Sequence, residues 1–136
     1  MRAREDQARR RLVGQWVCKG ETDVAAAEEL LHSPRRLLQP ACFHAQQAAE
    51  KYLKAFLTWH QVDCPKTHSI RQLLSLVGDV DGALAEELRE AAALTVYGVE
   101  ARYPSDLPEP NTSEAAQAVA TARKVRDGVM RALNTL

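Results

Sequence analysis

The side chains best suited to chemistry fall in three groups. His44, Gln47, Lys51 and Lys54 are the first; at about 100° per residue they share one stripe of a helix over residues 41–57, with Phe43 and Glu50 flanking it. Lysine supplies point charge, histidine a switchable donor and glutamine an amide able to bond a base edge, so the stripe suits a phosphate or a nucleotide. A solvated face with His44 at the edge of the core fits the same pattern. Tyr97, Arg102, Tyr103, Pro104 and Asp106 form the second group. Arg102 beside tyrosines and a helix-ending proline could grip a phosphate through its forked donors; equally, it could satisfy last-turn carbonyls or pair with Asp106. The third is Lys66-Thr67-His68, just ahead of a short helix whose free N–H groups suit an anion. A plain helix cap and a surface lysine are the alternative there.

Other chemistries lack their defining residues. No Walker loop, GxGxxG, HExxH or GxSxG is present. Cys42 and His44 stand two apart on a helix, so their side chains diverge. The cysteines, Cys18, Cys42 and Cys64, form no CxxC or CxxH pair, which argues against a disulfide framework and a zinc site and for a reduced, cytoplasmic protein. No cofactor is implied. The first residues are charged and no apolar run approaches membrane-spanning length, so neither a signal peptide nor a membrane helix is expected. Formal charge is zero and the pI is near 6.9, without the basic excess of a dedicated duplex DNA binder. The most basic segment, with Arg2, Arg4, Arg9, Arg10 and Arg11, reads as a solvated helical face, with contact to RNA or a partner's phosphates as the alternative.

The elements that must position these groups are helical throughout. The chain's 136 residues suit one domain, 1–136, and its aliphatic, alanine-rich composition with few aromatics favours an all-α fold. The first helix is expected over about 5–31, with Gly20 as a potential break. The second starts near Pro40, which suits a first turn, and runs to about His60. A short third helix covers 69–77, with Thr67 or His68 near its cap, and a turn covers 78–82. The fourth is expected over 83–103, ended by Pro104. Asn111 and Glu114 make a capping box for the last helix, which runs to about Asn134. Four long helices and one short one give an up-and-down bundle, with a homodimer expected to complete the burial.

Three segments in order, Ala41-Cys42-Phe43-His44-Ala45-Gln46-Gln47-Ala48-Ala49-Glu50-Lys51, Pro65-Lys66-Thr67-His68 and Glu100-Ala101-Arg102-Tyr103-Pro104, resemble the HEPN family, the "higher eukaryotes and prokaryotes nucleotide-binding" domain, in its stand-alone prokaryotic form. The resemblance runs from Trp16 to the last helix. It implies a five-helix bundle, a symmetric homodimer and a minimal nucleotidyltransferase partner in a two-component, toxin–antitoxin-like system. Some members are ribonuclease toxins that use an Arg, four to six intervening residues, and a His. No histidine here satisfies that spacing: Arg36 to His44 is too wide by one residue, and no histidine follows Arg102. The expectation is therefore a non-catalytic nucleotide- or phosphate-binding module, with ligand contacts from His44, Gln47, Lys51, Lys54, Lys66, His68, Arg102 and Tyr103. A divergent ribonuclease and a purely structural, partner-stabilising dimer are the alternatives.

Overall fold

The computed structural model describes residues 2–98, 106 and 109–134. In chain order the elements are α1 (Arg2–Leu31), α2 (Leu38–Trp59), α3 (Ile70–Val80), α4 (Gly82–Glu87), a 3-10 helix (Arg89–Gly98) and α5 (Thr112–Asn134). No strand occurs among the described residues, and the all-α expectation holds.

The centre of the fold is α2. Its alanines, Ala41, Ala45, Ala48, Ala49 and Ala55, are buried on several sides together with Tyr52, Leu53, Phe56 and Leu57, and these small residues let neighbouring backbones approach closely. Antiparallel α1 packs along it: Trp16 lies by Lys54, Glu21 by Tyr52 and Asp23 by Lys51. The stripe α1 buries is Val13, Gly20, Val24 and Ala27. Gly20 does not break the helix. A Cβ there would lie 2.8 Å from Cε2 of the Tyr52 ring, so this glycine makes room for that ring. On the other side α5 covers α2 with Ala115, Ala118, Ala122, Val125 and Val129.

Caps set the boundaries. Asn111 Oδ1 accepts from the Glu114 N–H at 2.8 Å while Glu114 Oε1 accepts from the Asn111 N–H at 3.0 Å, the reciprocal capping box expected from sequence. At α3 the cap is Ser69, whose Oγ accepts from the Gln72 N–H at 3.2 Å, one residue beyond the expected Thr67 or His68; the Thr67 hydroxyl instead accepts from the Ser69 N–H. The expected turn at 78–82 shrinks to Asp81, which ends α3 and caps α4 through Leu84 N–H at 3.0 Å.

The single helix expected over 83–103 is divided. α4 stops after Glu87 and the chain winds more tightly over Arg89–Gly98. That winding aligns Ala91, Leu94 and Gly98 toward the core and brings the Thr95 hydroxyl to the Ile70 N–H at 3.1 Å. Thr95, Val96 and Gly98 are weak helix formers, so α-helical propensity opposes this little. The rest of the expected helix, 99–103, lies outside the described residues.

Candidate functional site

The polar residues of α2 do not all face water. Gln46 and Glu50 fall on the buried line that continues through Leu53 and Leu57, and their residues are 0% and 3% exposed. A buried carboxylate and amide persist only when hydrogen-bonded, and both are. Glu50 accepts from Lys54 Nζ at 2.9 Å, from His68 Nδ1 at 3.2 Å and from Gln46 Nε2 at 3.2 Å. Gln46 Nε2 also donates to the His68 carbonyl at 3.0 Å, which ties α2 to the segment entering α3. The Lys54 ammonium lies 5.4 Å from the centroid of the Trp16 ring.

The network continues toward α1. Gln47 Nε2 donates to Gln46 Oε1 at 2.6 Å, and Lys51 Nζ donates to Gln47 Oε1 at 3.2 Å and to Asp23 Oδ2 at 2.8 Å. The other oxygen of Asp23 takes His44 Nδ1 at 2.9 Å. An unbroken chain of side chains thus runs His44, Asp23, Lys51, Gln47, Gln46, Glu50, His68. Each carboxylate holds one lysine and one histidine. The lysines are the inner partners, their side chains 19% and 12% exposed, whereas His68 is 70% exposed.

Burial alone raises the Glu50 pKa, but the hydrogen bonds from Lys54 and His68, with the Lys54 charge and Gln46, outweigh it and hold the carboxyl below its ordinary value. Since each carboxylate accepts from Nδ1, that nitrogen carries the proton and Nε2 is the free edge of both rings. Tyr52, beneath the same region, donates its hydroxyl to Glu21; burial and then that carboxylate push its pKa far up, so it stays a neutral donor.

The chain joins His44, Gln47, Lys51, Lys54 and His68 of the expected contacts. Lys66 is exposed near His68 and stands outside this chain of side chains. Arg102 and Tyr103 lie outside the described residues. Tyr97, from the same group, bonds the buried Cys42 thiol and lines a cavity of about 600 Å³ between the 3-10 helix and α5. Sequence reasoning passes over Asp23, Gln46 and Trp16 as site residues. The available signals are an acid amid the apolar positions Val24 and Ala27 of α1, and Gln46 spaced three and seven residues ahead of the core positions Ala49 and Leu53. Among the described residues no group of three or more His, Cys, Asp or Glu is placed to hold a metal ion.

Fold and site together define an all-helical domain built on a central alanine-rich helix, with an ionic hydrogen-bonded chain where α1, α2 and the start of α3 meet. The chain belongs to the HEPN domain family, whose model matches residues 13–132. It is also similar to the crystal structure of TT1696 from Thermus thermophilus, at 30% identity and a TM-score of 0.69 over 88% of this chain and 96% of that one. No curated protein matches it. No helix among the described residues is long and apolar enough to cross a membrane.

Proposed function

We propose that the protein is a non-catalytic, nucleotide- or phosphate-binding module that acts as a homodimer with a minimal nucleotidyltransferase. The observation that carries this reading is the preorganised chain from His44 to His68, whose carboxylates and lysines balance within the fold and whose imidazoles stand at its open ends. As imidazolium, each ring donates Nε2–H to a phosphate oxygen, and exposed Lys66 adds charge beside His68. The site then gains net positive charge where the ligand sits without burying an unpaired cation.

The test is calorimetric titration with ATP and with inorganic phosphate. Lys51→Ala combined with His68→Ala is expected to weaken binding at least about tenfold, with the far-ultraviolet circular dichroism of the wild type. Unchanged affinity in a folded variant removes this site. A small nucleotidyltransferase recovered in stoichiometric amount on gentle purification from the host supports the two-component part, and a monomeric mass at micromolar concentration counts against the homodimer.

One feature favours the ribonuclease alternative. Asp23–His44 and Glu50–His68 are carboxylate–imidazole pairs whose Nε2 can exchange a proton, and RNA cleavage through the 2′-hydroxyl needs a base and an acid. Time-dependent cleavage of single-stranded RNA that disappears in His68→Ala, and also in Arg102→Ala, would establish it.

A further inference from the structure

The chain carries no net charge, yet its first turns are strongly basic: Arg2, Arg4, Arg9, Arg10 and Arg11 stand against only Glu5 and Asp6. Register explains their exposure. α1 descends α2 with Asp23 level with Lys51, Trp16 with Lys54 and Arg10 with Trp59, the last residue of α2. Residues 2–8 therefore continue past the end of α2, and Arg2, Arg4, Arg10 and Arg11 are exposed. The HEPN match begins at residue 13, so these arginines lie outside the part of the chain that defines the family.

At the root of this projection is an aromatic surface. The guanidinium carbons of Arg9 and Arg10 lie 4.8 and 5.8 Å from the centroid of the half-buried Trp59 ring. Arg10 and Trp59, with Val13, Leu133 and Asn134, line a cavity of about 350 Å³. Arg9 holds Asp6 through Nη2 at 2.8 Å, while its Nε is buried without a hydrogen-bond partner among the described residues.

We propose that this end of the bundle binds single-stranded nucleic acid. Phosphates contact Arg2 and Arg10, which share the side of α1 nearer Trp59, and one unpaired base enters the cavity against Trp59 and the Arg10 guanidinium. Each part of that ligand has a counterpart: successive phosphates for two arginines on one side of the helix, and a flat π-face for a tryptophan beside guanidinium groups. A base within a duplex cannot enter such a cavity, and an acidic peptide would use the arginines but leave the tryptophan surface empty.

The experiment is fluorescence anisotropy of a dye-labelled oligouridylate with the full chain at about 50 and about 200 mM salt, where phosphate contacts give affinities that fall steeply with salt. Replacing the exposed pair Arg2→Ala and Arg10→Ala is expected to weaken binding about tenfold and reduce the log–log salt slope by about 1.4. Trp59→Leu should weaken it about tenfold and leave the slope unchanged. In a Trp16→Phe chain the remaining indole is Trp59, and its fluorescence should change as oligouridylate is added. Oligothymidylate distinguishes the sugar: equal affinity assigns single strands of either kind, and weaker binding assigns RNA. Absence of binding at the lower salt overturns the proposal, as does indifference to both the arginine and the tryptophan substitutions. Polyglutamate binding as tightly, with the same arginine dependence, replaces it with an acidic protein partner. Loss of oligonucleotide binding in Lys51→Ala/His68→Ala transfers the activity to the α2 site, so this proposal and the one above fail separately.

Discussion

Glu50 decides the energetics of the polar chain because it is a nearly inaccessible carboxylate serving three donors, two on its own helix and one on the segment entering α3. Removing it strands Lys54 and half of Gln46. Glu50→Ala is therefore expected to destabilise the bundle by about 3–5 kcal/mol in urea unfolding at neutral pH, the range for leaving a buried charge without its partner. Glu50→Gln keeps one oxygen and loses the ionic bonds, for about 2 kcal/mol. The folded carboxyl titrates below its ordinary value of 4.5, so the stability it confers is complete above that value and is lost as pH falls through the lower folded one. Unfolding measured from about pH 6 down to about pH 3 should show a falling limb that is shallower in Glu50→Gln. A wild-type limb no steeper than the variant's would mean that Glu50 gains nothing from its partners. The sequence displays Glu50 and Gln46, but its polar stripe points to water. Their burial rests on partners from the entry to α3, the His68 ring for Glu50 and the His68 carbonyl for Gln46, 18 and 22 residues away in the chain, which periodicity within one helix does not register.

Two glycines of α1 separate helix propensity from packing. At Gly14 an added Cβ meets nothing within 4 Å, whereas at Gly20 it meets the Tyr52 ring at 2.8 Å. Gly14→Ala should therefore stabilise by about 1 kcal/mol, the propensity gain alone. Gly20→Ala receives the same gain but must displace a ring that is fully buried and fixed at its hydroxyl by Glu21, and overpacking of this kind costs about 1–3 kcal/mol. Thermal melts should move in opposite directions, up for Gly14→Ala and down for Gly20→Ala; a rise in both would show that the Tyr52 ring yields freely. Element boundaries were legible where chemistry is local: the Asn111–Glu114 box is written in four residues and formed as written. The division of the 83–103 segment was not, because Leu84, Leu88, Ala91 and Thr95 satisfy helical spacing however tightly the backbone winds. The 3-10 winding is accompanied by a bond from the Ile70 N–H at the start of α3 to the Thr95 hydroxyl, 25 residues away, which local spacing does not register.

At the scale of the whole molecule the chain divides into a bundle and an extension. Alanine-rich composition and amphipathic spacing made the all-helical architecture readable, since a core of this kind follows from summed apolar positions. The antiparallel register that projects the first turns beyond α2 is a property of the assembled pair, invisible in either helix alone. The first buried residue of α1 is Val13, and residues 2–8 contribute none to the core. Their one side-chain bond of note, Arg9 to Asp6, is a three-residue surface pair worth under about 1 kcal/mol. A chain lacking residues 1–8 is accordingly expected to melt within about 2 °C of the full chain. Its affinity for oligouridylate should nevertheless fall, and the salt slope should drop by about 0.7, because Arg2 is gone while Arg10 and Trp59 remain. Calorimetric binding of ATP or phosphate at the His44–His68 chain should be unaffected. A melting point lower by many degrees would instead make the extension part of the fold. Unchanged oligouridylate affinity in a stable truncated chain would leave the projecting Arg2 without the role assigned to it.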